Sequence, residues 1–119
     1  PDRSDQNHEA ADVIWKLLIQ QDAILVTSNY VLVETCAVVQ NRLGWEAVRD
    51  FQLEAVPLLT VEWIAKPQHD AAVATLLAAN RRKLSLVDCV SFKVMRDAGI
   101  RKAFAFDSHF VEQGFECQF

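Results

Sequence analysis

Short apolar runs alternate along the chain with longer stretches in which apolar residues recur every three or four positions. Ala10, Val13, Ile14, Leu17 and Leu18 mark a first helix, capped by Asp5 or Asn7 and running to about Gln21. Residues 23–26, AILV, read as a short buried strand. Thr27-Ser28-Asn29 offers N-cap oxygens to a second helix, roughly Tyr30 to Arg42, which Gly44 ends. A third helix from about Trp45 to Leu53 leads to the strand PLLTV, residues 57–61, whose Pro57 fits the start of an edge strand. The stretch from Pro67 to Arg82 is alanine-rich and helical, with Pro67 in its first turn. Ser85 caps the next helix, which stops at Gly99 after Ala98. AFAF, residues 103–106, is a buried strand, and the closing FECQF is a candidate for another.

Strands alternating with helices imply an α/β domain with a mostly parallel sheet. In such sheets ligands gather beyond the carboxyl ends of the strands. The 119 residues, 51% of them hydrophobic and 24% charged, suffice for one domain with one core. Cys36, Cys89 and Cys117 are odd in number and far apart, which suggests neither a disulfide framework nor a CxxC metal site and fits a reducing cytoplasm. No apolar run approaches the roughly 20 residues of a membrane helix. A net charge of −4 argues against binding to nucleic acid through bulk positive charge, but not against a site in which acids hold cations. Arg81-Arg82-Lys83 is the one basic run, expected to complement the dipole at a helix C-terminus.

Three acids stand in apolar surroundings. Glu34 lies within YVLVETCAVV, Asp88 within LSLVDCVSF, and Asp107 ends AFAF. Such carboxylates either take up protons or gather a cation, and several together cannot ionise without one. Mg²⁺ or Mn²⁺ meets that demand with oxygen ligands, and suits phosphate chemistry. Each acid also has a structural reading. Ser85-Leu86-Val87-Asp88 matches a capping box, Asp107 can cap a turn at Ser108, and Glu34 can pair with Arg or Lys. His8, His69 and His109 read as surface or packing residues, and no nucleophilic triad or glycine-rich phosphate loop is present.

The ordered segments SDQNHEAA, TSNYVLVET, KLSLVDCVSF and AFAFDSHFVEQGF resemble the PIN domain family, in particular its VapC-like branch, over nearly the whole chain. The resemblance implies a three-layer α/β fold with a central, mostly parallel sheet in flavodoxin-like order. It also implies a Mg²⁺- or Mn²⁺-dependent endoribonuclease in which Glu34, Asp88 and Asp107 are catalytic and metal-binding. The family's first strand, ending in a further acid, would precede Pro1, so residues 1–119 are expected to form a single PIN-like domain incomplete at its N-terminus. Ala105 stands where many relatives carry a hydroxyl, which predicts modestly weaker activity. The VapC-like branch implies an RNA substrate, a cognate antitoxin protein, a homodimer and a cytoplasmic location. The alternative reading is a non-catalytic PIN-like interaction module with a degenerate metal site.

Overall fold

The computed structural model describes residues 24–103 and 116–117. The helix expected to end near Gln21, and the part of AFAF beyond Ala103, lie outside the described residues. Leu25–Arg101 belong to one compact unit, whereas β3 (Lys102–Ala103) and β4 (Glu116–Cys117) belong to another. Within that second unit β3 and β4 pair in parallel, Lys102 opposite Glu116 and Ala103 opposite Cys117. The strand at AFAF thus begins one residue early, and FECQF contains a strand as expected.

In the first unit, β1 (Leu25–Ser28) pairs in parallel with β2 (Leu59–Glu62), Leu25 opposite Leu59 and Ser28 opposite Glu62. Between them come α1 (Asn29–Leu43) and α2 (Trp45–Asp50). Ser28 leaves β1 with extended backbone and caps α1, its Oγ accepting from the Val31 N–H at 3.3 Å. That bond satisfies one orphan donor of the helix, and it explains how a polar side chain only 2% exposed is tolerated. Gly44 ends α1 at φ 93°, where a Cβ would be strained.

The expected third helix is shorter than its pattern. It gives way after Asp50 to a wide π turn over Phe51–Ala55 and a tight turn over Val56–Leu58. Pro57 lies inside that tight turn, and β2 starts two residues later, because proline has no N–H to give to a ladder. The strand expected at 57–61 is thereby displaced to Leu59–Glu62.

Two helices follow, α3 (Lys66–Ala79) and α4 (Leu86–Ala98). They pack on each other, and α4 also packs on β1 and α1. The buried residues Cys89, Val90, Phe92 and Met95 all come from α4, joined by Ala72 of α3 and by Leu84. Full burial of such a side chain contributes about 1.5–3 kcal/mol, so α4 anchors this unit. Ser85 and Gly99 bound α4 as expected, with Gly99 in the left-handed region at φ 70°. By contrast α3 stops at Ala79, because Asn80 adopts the left-handed conformation, φ 50° and ψ 42°. Arg81-Arg82-Lys83 therefore lies past the helix rather than in its last turn, which contains no basic residue. Among the described residues no helix is long and apolar enough to cross a membrane, and Cys36 and Cys89 are free thiols.

Candidate active site

Two of the three sequence-selected acids fall on described residues, and both stand on helices packed against β1. Glu34 is the sixth residue of α1, and Asp88 the third of α4. Since α1 and α4 also pack on each other, the fold makes neighbours of the two acid-bearing elements. Asp107 lies outside the described residues.

Glu34 departs from the sequence reading in one respect. The half-buried side of α1 is formed by Val31, Leu32, Thr35, Cys36 and Val39, while Val33, Glu34, Ala37 and Val38 are exposed. Apolar neighbours surround Glu34, then, but on the outer side of the helix. Val33, next to it, is 71% exposed. The carboxylate makes neither a hydrogen bond nor an ion pair among the described residues, so its oxygens are available to a ligand.

Asp88 is half-buried and held in place at both ends of a reciprocal cap. Its N–H donates to Ser85 Oγ at 3.1 Å, and its Oδ2 accepts from the Ser85 N–H at 3.2 Å. The capping box foreseen in S-x-x-D is thus formed. It occupies one carboxylate oxygen and leaves Oδ1 for a ligand. A carboxylate fixed by a backbone N–H is oriented before any ligand arrives, as carboxylates that bind metals usually are. Its charge also bears on Cys89, whose thiol is pushed above the ordinary range first by burial and then by the adjacent carboxylate.

The donor chemistry of the two acids fits a hard divalent cation, which prefers carboxylate oxygen. Among the described residues no three His, Cys, Asp or Glu are gathered into a metal-binding group.

Sequence reasoning missed one contact on this side of the unit. Tyr30, in the first turn of α1, hydrogen-bonds through its hydroxyl to Nδ1 of His69 on α3, and the two rings lie tilted at 5.8 Å between centroids. The Asn29 side chain adds a second tie, its Oδ1 accepting from the Ile64 N–H at 2.7 Å just beyond β2. Partners 35 and 39 residues apart leave no local pattern to find. These bonds fix the start of the helix that bears Glu34. An open cavity of about 270 Å³ beside Trp63, Gln68 and Asp97 includes neither Glu34 nor Asp88 in its walls.

The family model described as PIN domain matches residues 3–116. The 23S rRNA-specific endonuclease VapC20 of Mycobacterium tuberculosis, in strains CDC 1551 / Oshkosh and H37Rv, is 33% identical over 112 residues, covering 93% of this chain and 83% of the relative. The crystal structure of M. tuberculosis VapC20, described as a sarcin-ricin loop cleaving toxin, superposes with a TM-score of 0.70 at 34% identity, covering 84% of this chain and 78% of that one.

Proposed function

The chain belongs to the PIN domain family, and from that premise we propose that it is an endoribonuclease that hydrolyses RNA phosphodiester bonds with Mg²⁺ or Mn²⁺ held by Glu34, Asp88 and Asp107. The observation that carries the reading is Asp88: a carboxylate fixed by the Ser85 N–H through one oxygen, with the other open, on a helix packed against the one that carries Glu34. A cap alone would require none of the likeness to an endonuclease that runs across 93% of the chain.

Each residue then has a defined part. Asp88 presents Oδ1 in a fixed direction because Ser85 holds Oδ2. Glu34 brings a carboxylate without competing partners among the described residues. Asp107, at the end of an apolar strand in sequence, would supply the third. A bound divalent ion contributes a lowered water pKa and charge stabilisation at the phosphoryl and leaving oxygens. The acids would neutralise that ion and fix its position; water adds its oxygen to phosphorus as the bond to the 3′ oxygen breaks, and the 3′ oxygen takes up a proton, giving 3′-hydroxyl and 5′-phosphate ends.

The specificity of the relatives supports ribosomal RNA as the substrate to try, with a sarcin-ricin type stem-loop as the first choice. The same reading makes the protein the toxin of a toxin–antitoxin pair, with a cognate antitoxin protein covering the acids, and a homodimer as the assembled form. Incubation of a stem-loop RNA with the protein and Mg²⁺ or Mn²⁺ tests it. Cleavage that leaves 3′-hydroxyl ends and stops on chelation is expected. Metal-independent cleavage to cyclic phosphate ends would overturn the mechanism, and no cleavage together with no Mn²⁺ binding would leave the non-catalytic module.

A further inference from the structure

We propose that Arg82 and Lys83 form a phosphate-binding step that seats the RNA backbone beside Asp88. The inference rests on the ribonuclease reading and adds to it a means of holding substrate. It starts from the end of α3, where left-handed Asn80 takes the chain off the helix before the basic run begins. The Leu84 N–H then donates to the Arg81 carbonyl at 3.2 Å, closing a turn, and the Leu84 side chain is buried. Anchored from behind by Leu84, Arg82 and Lys83 are both exposed.

Their position gives no return in stability that would explain them. Neither lies in the last turn of α3, so the dipole of that helix does not account for them. Neither forms an ion pair among the described residues, whereas Lys66 and Lys93 each reach an aspartate four residues on, at 2.6 and 3.1 Å. Adjacent like charges held at a tight turn repel one another, and a chain of net charge −4 offers many acids with which a solvated cation could have been paired.

What the turn does provide is proximity to the acid. Lys83 precedes Ser85 by two residues, so their Cα atoms are no more than about 7 Å apart. The Ser85 N–H in turn holds the Asp88 carboxylate. A phosphodiester strand reaching Asp88 therefore comes within reach of the long side chains of Lys83 and Arg82. Acids that bind a cation repel the flanking phosphates until it is bound, and two cations at the rim offset that repulsion. Contacts of this kind set the register of the strand without reading its bases.

The test compares the wild-type protein with the pair Arg82→Gln/Lys83→Gln and a control pair, Arg42→Gln/Arg49→Gln, that makes the same change in net charge. KM and kcat for RNA cleavage are measured from low to high KCl, with melting curves to verify the fold. For the first pair KM should rise about tenfold near physiological salt and the slope of log KM against log salt should fall by about 1.4, two single-strand phosphate contacts at roughly 0.7 each. Its kcat should stay within about twofold of wild type, and the control pair should keep the wild-type slope. Unchanged KM and slope in the first pair, or an equal loss in the control, overturns the proposal. If the wild-type protein cleaves no RNA, the ribonuclease reading fails separately. Binding of a labelled single-stranded RNA without metal then decides for the basic turn: salt-sensitive binding lost only in the first pair sustains it, and equal binding by all three proteins overturns it.

Discussion

Asp88 holds two roles that a pair of substitutions should separate. Ser85→Ala removes the hydroxyl that accepts from the Asp88 N–H at 3.1 Å, while the Ser85 N–H still holds Asp88 Oδ2. The loss is one N-cap bond at an exposed site, about 1 kcal/mol. For a domain of this size that lowers the melting temperature by roughly 3–6 °C. RNA cleavage, measured well below that temperature, should remain within about threefold, because the carboxylate keeps its partner and its charge. Asp88→Asn acts the other way. The amide oxygen still accepts from Ser85, so only the favourable charge in the first turn is lost, about 0.3–1 kcal/mol. Cleavage should nevertheless fall by at least about 100-fold, beyond what the loss of a hydrogen-bonded supporting group costs at a metal site. Calorimetry and single-turnover cleavage on the same preparations give both readouts. If Asp88→Asn loses activity only in step with Ser85→Ala, Asp88 is a helix cap and the reasoning fails.

Three further predictions address the framework. Ser28→Ala removes the buried cap of α1 and should cost about 1 kcal/mol in urea unfolding; a change within error would mean that the Oγ contact to Val31 contributes nothing. Phe92→Ala, at a position 2% exposed, should cost about 3–5 kcal/mol and leave little soluble protein at 37 °C, and a melting point within a few degrees of wild type would contradict the placement of the core. The Cys89 thiol is raised in the folded protein, so its contribution to stability is intact below the ordinary thiol range, about 8.5, and is lost as pH rises through the raised value. Unfolding midpoints followed from pH 7 to 10 should thus fall more steeply for wild type than for Cys89→Ala, and parallel curves would refute the shift.

How much was legible depended on whether the cause was local. The limits of α4 follow from Ser85, Asp88 and Gly99, all within reach of the backbone they cap, and the structure keeps them. The caps of α1 at Ser28 and Gly44 are local in the same way. The end of α3 was misplaced because Asn80, not a glycine, takes the left-handed position, and alanine-rich periodicity continues past it. β1 is shifted from residues 23–26 to Leu25–Ser28 because its limits are set by pairing with β2, some 34 positions away in register. Glu34 and Asp88 could be selected as acids among apolar residues, but the pattern did not show that α1 turns Val33 and Val38 outward with Glu34. The tie between Tyr30 and His69 depends on the approach of α1 and α3, which no short motif encodes.

The central claim is that the acids act together on RNA through a divalent cation. Its most direct test is single-turnover cleavage of one RNA by wild type, Glu34→Gln, Asp88→Asn and Asp107→Asn, titrated with Mg²⁺ and with Mn²⁺ after chelation. The account predicts cleavage that requires added metal and falls by at least about 100-fold in each variant, with melting temperatures near wild type. Wild-type rates in any one of the three, or cleavage that persists in chelator, would contradict it.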